Sequence, residues 1–418
     1  MYENVDSWCS GRAYVAGEKA NYNSNIYEAK WWTQGDVPSN VEFGPWKLIH
    51  EVIPEQPKAW DCHKTYIVGG RVIYNCHLYE AKWWTQGEAP GNENGPWKCL
   101  GKVTPDQTAQ PIPSSVPVPS GELPKRVLTG YWQNWSGEKT LKISDVPHTY
   151  NLICVSFAQP TSTPGEVAFQ LDSGLSAALG GYTEAQFISD IAAAKGKGQR
   201  VILSVGGEVG TVKVENESQA TTFANSVRGL ITKYGFAGVD IDLEHGINAQ
   251  YMASALRKLS DQVGSSLIIT MAPQTIDMQK TEDGYFKLAL EIKDILTICN
   301  TQFYNSGSML GYDGRAYSQG NADFLTALAT IQLEKGLKPE QVGLGLPASV
   351  RGAGSGHIPP SVVTAAYKAL VQGTNSGSFQ APRPYPALRG VMTWSINWDA
   401  LNNYEFSNAI AACFSQFP

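Results

Sequence analysis

From Arg126 onward, eight short apolar runs alternate with longer amphipathic ones, and this alternation limits the fold more than any other feature of the chain. The apolar runs are Val127 to Gln133, Leu152 to Ala158, Val201 to Gly206, Gly238 to Glu244, Leu267 to Pro273, Ile295 to Tyr304, Val342 to Pro347 and Gly390 to Ser395. Runs of this length, rich in Val, Ile and Leu, read as buried parallel strands. Between them, Glu184 to Ala194, Ala220 to Lys233, Gln250 to Gln262, Phe324 to Glu334 and Ser361 to Val371 repeat apolar residues at helical spacing. Eight strands with intervening helices over roughly 290 residues predict an α/β fold, a (β/α)8 TIM barrel. A doubly wound sheet is the alternative, but no glycine-rich nucleotide turn follows the first run.

The fourth run, Gly238-Val239-Asp240-Ile241-Asp242-Leu243-Glu244, sets three carboxylates at every second position. On a strand, Asp240, Asp242 and Glu244 share one face, and Val239, Ile241 and Leu243 the other. Carboxylates two residues apart then lie roughly 6–7 Å apart, close enough to couple their protonation. Like charges on a partly desolvated face push at least one pKa upward, which keeps a carboxylic acid loaded for general-acid work. The same pattern also suits a half-exposed edge strand whose acids are solvated. A hard-cation site is a further alternative, although this aliphatic strand lacks the irregular backbone and carbonyl ligands of a calcium loop.

The first hundred residues contain an internal repeat. Tyr27-Glu28-Ala29-Lys30-Trp31-Trp32-Thr33-Gln34-Gly35 recurs 52 residues later as Tyr79-Glu80-Ala81-Lys82-Trp83-Trp84-Thr85-Gln86-Gly87. Trp8 and Tyr14 are matched by Trp60 and Tyr66, and each copy closes on Gly-Pro-Trp, at Trp46 and Trp97. Copies of about 45 residues can form only tiny β modules held by a few buried aromatics. A period of two puts Tyr27, Ala29 and Trp31 on one face and Glu28, Lys30 and Trp32 on the other, so Trp32 and Trp84 are the more exposed pair. Trp31 and Trp83 are core residues on that pattern, or exposed ones if the strand ends before them. From about Gly101 to Pro124, six prolines among small polar residues read as an extended, semi-stiff linker. The expected domains are therefore 4–50 and 56–100 (modules), 101–124 (linker) and 125–418 (barrel).

The net charge of −6 supplies no cationic field for nucleic acid or anionic lipid. Twelve Trp and nineteen Tyr suit stacking on flat apolar faces such as sugar rings, with core packing the first explanation for any one of them. No run is long enough for a membrane span, and Met1 to Ser10 shows no export signal. That leaves open a mature form starting at an added Met, export by another route, or an intracellular protein. Seven cysteines without a CxxC pair argue against zinc, and no metal or cofactor is expected. The cluster Cys62, Cys76 and Cys99 leaves room for one local disulfide, whereas Cys154 and Cys299 read as buried thiols.

Two sets of motifs resemble known families. The paired AKWWT segments are similar to small carbohydrate-binding modules of bacterial chitinases and cellulases. This resemblance implies that Trp31, Trp32, Trp83 and Trp84 form stacking platforms for crystalline polysaccharide, with avidity from two copies. Ser204-Val205-Gly206-Gly207 and the Asp240 to Glu244 ladder resemble the two signature motifs of family 18 glycoside hydrolases, the chitinases and their relatives. The family usually carries another Asp where this chain has Ala237.

The second resemblance implies a retaining, substrate-assisted hydrolysis of chitin and N-acetylglucosamine oligomers. In it Glu244 is the acid/base, Asp242 orients the acetamido group, and Asp240 shares a proton with Asp242. Tyr304 bonds the acetamido carbonyl with Gln302 and Asn305 beside it, and Trp394 floors the sugar site. Tyr131 and Ser204 support the Asp pair, while Met271, Pro273 and Gln274 either line the cleft or pack. His245 has no partner visible in the sequence and no assigned role.

About 40 residues separate the seventh and eighth runs, too few for a large insertion, so a shallow, endo-acting groove is expected. An endo-β-N-acetylglucosaminidase acting on N-glycans and a non-catalytic chitin-binding lectin are the rival readings. A secreted monomer that binds neither nucleic acid nor membrane completes the expectation.

Overall fold

The computed structural model describes residues 6, 8–22, 25–38, 44–51, 58–59, 65–74, 77–92, 95–102 and 123–417. The chain divides into two compact units, Met1–Val116 and Pro117–Pro418. The expected module starts at 4 and 56, most of the expected linker, Trp60, Cys62 and Cys76 lie outside the described residues. Cys99 is an exposed thiol, and Cys154 and Cys299 are buried ones.

Each repeat folds as a small sheet beside a two-stranded pair, antiparallel in the first repeat and with one parallel pairing, Lys58–Ala59 to Arg71–Tyr74, in the second. In the first, Lys19–Tyr22, Asn25–Ala29 and Trp46–Glu51 pair in that order, beside Ala13–Tyr14 with Thr33–Gln34. Its core is Tyr14, Ala20, Tyr27, Ala29 and Trp46. Tyr14 meets Trp46 edge-on with ring centroids 5.1 Å apart, and the Trp46 indole N–H donates to the Asp36 carbonyl at 2.9 Å. The second repeat builds the same contact from Tyr66 and Trp97, also at 5.1 Å. Such edge-to-face pairs are the main apolar asset of a module this small.

The strand carrying Tyr27 ends at Ala29, so the alternation does not carry on to Trp31. Trp31 and Trp32 are 49% and 61% exposed, and Trp83 and Trp84 are 48% and 62% exposed. All four are therefore surface rings, with the second of each pair the more open.

The larger unit is an eight-stranded parallel barrel: β1 Val127–Gln133, β2 Leu152–Pro160, β3 Arg200–Gly207, β4 Gly238–Leu243, β5 Ile268–Met271, β6 Ile298–Gln302, β7 Val342–Pro347 and β8 Gly390–Trp394. Each strand pairs with its sequence neighbours, and β1 pairs with both β2 and β8, which closes the cylinder and leaves these strands no free edge.

Alternation along the strands divides the core in two. Tyr131, Cys154, Ile202, Ile268, Ala272, Ile298 and Met392 pack inside the barrel. Val239, Ile241, Leu243, Ile269 and Met271 pack outside it, under the helices. Each such aliphatic side chain stabilises the fold by roughly 1.5–3 kcal/mol.

The helices follow their end signals. Glu184–Gly196 opens on a capping box in which Thr183 N–H donates to Gln186 Oε1 at 2.8 Å and Gln186 N–H to Thr183 Oγ1 at 3.2 Å. Glu217–Tyr234 is capped by Asn216 and stops at Gly235. Ala249–Val263, Ala322–Glu334 and Pro360–Gln372 complete the set read from the sequence.

The helix Gly284–Glu291 was not expected, because eight residues with Tyr285, Phe286, Leu288 and Ala289 all buried show too short a polar stripe. Ile396–Leu401 and Glu405–Phe414 after the last strand were also missed. Between β7 and β8 the chain holds Pro360–Gln372 and one isolated bridge, Asn375 to Gln380, with no inserted sheet. Among the described residues, no helix is long and apolar enough to cross a membrane.

Candidate active site

The C-terminal ends of the barrel strands open into a cleft of about 1010 Å³. Asp242 and Glu244 line it together with Gln302, Tyr304, Asn305, Trp394, Phe157 and Trp135. Beneath them, Asp240 is fully buried. Three hydroxyls from three other strands converge on it. Tyr131 and Ser204 donate to Oδ2, each at 2.7 Å, and Thr270 donates to Oδ1 at 2.6 Å. Burial raises the proton affinity of Asp240, and the three donors, which favour the carboxylate, work against that rise. Tyr131 and Ser204 thus support Asp240 from below and are not among the residues lining the cleft.

Thr270 is the partner that sequence reading missed. Its signal lies in the register: Asp240 faces Ser204 on β3 and Thr270 on β5 in adjacent ladders. A period of two on β5 then turns Met271 outward, where it is fully buried in the outer core. The expectation that Met271 contacts substrate is corrected accordingly. Gln274 is exposed and stands outside the residues lining the cleft; its backbone N–H donates to Asp277 Oδ2 at 3.2 Å, in the turn after β5.

Asp242 is buried and accepts the Gln302 amide N–H at 2.9 Å. Burial, then the charges of Asp240 and Glu244, push its pKa well above the usual carboxylate range. Glu244 stands one residue past β4 and is half-buried. Burial raises its pKa, the Glu208 carboxylate raises it further, and His245 pulls the other way. A cleft-lining carboxyl with a raised pKa beside a second, buried carboxyl is the arrangement a general acid needs.

β6 is shorter than the sequence suggested and ends at Gln302, so Tyr304 lies beyond it, still buried and lining the cleft. Asn305 adopts a left-handed backbone, φ 52°, and its Oδ1 accepts the Ser355 N–H at 2.9 Å. Trp394, at the end of β8, stacks on Phe157 with centroids 5.7 Å apart, and Trp135 lies 6.1 Å from Trp394. These rings make an aromatic floor of which the sequence identified only Trp394.

His245 does have a partner, the Glu208 carbonyl oxygen, 2.6 Å from Nε2. Ala237 packs against the inner core before β4 begins, roughly 23 Å of extended chain from Glu244.

Residues 127–408 match the model of glycosyl hydrolases family 18, and residues 7–47 and 59–98 match carbohydrate-binding module family 5/12. Chitinase Chi52 of Paenibacillus xylanexedens is 33% identical over 385 residues, covering 82% of this chain and 70% of that one. Chitinase D of Niallia circulans is 34% identical over 337 residues, covering 71% of this chain and 62% of its own length, so the chain spans less than two thirds of that relative. A solved structure of a chitinase A candidate from Streptomyces coelicolor is 57% identical with a TM-score of 0.68, covering 70% of this chain and 99% of that one. The chain therefore belongs to glycosyl hydrolases family 18, alongside the chitinases it is similar to, and carries two family 5/12 carbohydrate-binding modules ahead of its barrel.

Proposed function

We propose that this chain is a chitinase that hydrolyses β-1,4-linked N-acetylglucosamine polymers with retention of configuration, the substrate's own acetamido oxygen serving as the nucleophile. One observation carries the reading: Glu244 lines the cleft with a raised pKa, two residues beyond a buried Asp242 that lines the same cleft. Glu244 gives its proton to the glycosidic oxygen while the acetamido carbonyl oxygen attacks the anomeric carbon. The C–O bond to the leaving sugar breaks and an oxazolinium ion forms.

Asp242 accepts the acetamido N–H and balances the developing positive charge. A proton shared between Asp240 and Asp242 keeps the ladder from carrying three full charges. The Tyr304 hydroxyl donates to the acetamido carbonyl, and Trp394 stacks under the sugar. Glu244, now a carboxylate, takes a proton from water as that water attacks the anomeric carbon from the face the leaving sugar vacated, breaking its bond to the acetamido oxygen. The exposed Trp31, Trp32, Trp83 and Trp84 hold the enzyme on the polymer. The short segment between β7 and β8 supports internal cleavage, since no inserted domain walls the groove.

The test is incubation with insoluble chitin, followed by mass analysis of the products and their anomeric form. Initial β-anomer and a loss of roughly 10²–10⁴-fold in turnover for Glu244→Gln are expected, with chitin binding retained. Unchanged turnover in that variant removes Glu244 from the mechanism. Preferential hydrolysis of a glycoprotein over colloidal chitin overturns the substrate assignment, and purely terminal release from labelled oligomers overturns internal cleavage.

A further inference from the structure

We propose that Glu208 is a positioning residue that acts on Glu244 through its charge, and that the ring of His245 holds in place the turn that carries it. The inference rests on Glu244 being the acid/base.

Glu208 follows β3 in a turn whose backbone lies directly on the acid-bearing strand. Gly206 and Gly207 have φ of +115° and +75°. A Cβ on Gly206 would fall 2.3 Å from the Asp242 carbonyl oxygen, and one on Gly207 would fall 2.7 Å from the Phe157 ring. Only glycine allows this approach. The turn closes with Gly210 N–H donating to the Gly207 carbonyl at 3.1 Å. It leaves the Glu208 side chain exposed, lining the same cleft as Glu244.

The tie to β4 runs through the residue next to the acid. His245 Nε2 sits 2.6 Å from the Glu208 carbonyl oxygen. A carbonyl can only accept, so Nε2 carries a hydrogen whether the ring is neutral or charged, and the bond survives protonation of Nδ1.

Among the described residues, the titratable groups coupled to Glu244 by charge are Asp242 from its own strand, Tyr304 from beyond β6, His245 beside it and Glu208 from the turn after β3, and Asp172 and Arg351 line the same cleft. Asp242 is buried and held by Gln302. Glu208 is exposed and lines the same cleft as the acid. A negative charge there favours the protonated acid and adds to burial, the larger cause of the raised pKa of Glu244.

The test is the pH profile of kcat/KM on a soluble N-acetylglucosamine oligomer. Its alkaline limb reports loss of the Glu244 proton. Glu208→Gln is expected to move that limb to lower pH by about half a unit or more, and Glu208→Asp to restore most of the displacement. In a His245→Ala background the Glu208→Gln displacement is expected to shrink to less than about half. An unmoved limb in Glu208→Gln, or an equal displacement in Glu208→Asp, overturns the role of the charge. A full displacement in the His245→Ala background overturns the latch. Where turnover is too low for a profile, titration of the Glu244 carboxyl by carbon NMR on labelled glutamate makes the same comparison. Glu244→Gln is run alongside: if it keeps its turnover, the assignment of the acid fails, independently of any result at Glu208.

Discussion

The Gln302 side chain ties β4 to the residue just past β5 with one nitrogen, donating to Asp242 Oδ1 at 2.9 Å and to the Ala272 carbonyl at 2.8 Å. It is the donor that favours the ionised form of Asp242 against burial and two neighbouring charges. Replacing it with leucine leaves two buried acceptors without that partner, each worth roughly 1–3 kcal/mol. Gln302→Leu is therefore expected to raise the pKa of Asp242 further and to lower kcat at least about tenfold, with a measurable loss of stability in urea. A variant with unchanged kcat would remove Gln302 from the site.

Asp242 itself sets a stability that falls with pH. Its folded pKa lies above its unfolded value, so between the two the native state binds more protons than the unfolded chain, and stability drops as pH rises through that window. Asp242→Asn removes the buried charge and keeps an oxygen for Gln302. The variant is expected to lose activity while gaining on the order of 1 kcal/mol of stability at neutral pH. Below the unfolded pKa, where the wild-type carboxyl is protonated in both states, the gain should vanish. Thermal unfolding of both proteins from pH 3 to 8 reads this directly, and a gain independent of pH would contradict it.

Adsorption to insoluble chitin should depend on the exposed ring pairs and hydrolysis of soluble oligomers should not. Trp32→Ala or Trp84→Ala alone is expected to weaken adsorption, and the double variant to weaken it by about tenfold or more as avidity is lost. Depletion from solution by chitin, compared with turnover of a soluble oligomer, separates the two effects.

Met271 offers a contrast with the cleft residues. Packed in the outer core, it should respond to Met271→Ala with a loss of about 2–5 kcal/mol in unfolding free energy and no change in KM. A raised KM with intact stability would return it to the cleft.

The barrel was legible because its strands announce themselves locally. A period of two put Asp240, Asp242 and Glu244 on one face, and the helical runs between the strands implied parallel pairing. Short elements were harder to read: Gly284–Glu291 is buried on too many sides to show a stripe, and the early end of the Asn25–Ala29 strand exposed Trp31 against its pattern.

The sequence alone determined which side chains share a face, since pleat and helical pitch are local geometry. Only the closed barrel decided which faces meet. Tyr131, Ser204 and Thr270 lie on three different strands, and it is the register around the cylinder that brings their hydroxyls within 2.7 Å of one carboxylate. His245 had no partner in its neighbourhood until the turn after β3 laid the Glu208 carbonyl beside it, 37 residues away along the chain. Such contacts depend on how strands stagger and loops fold back, and no short-range periodicity encodes that.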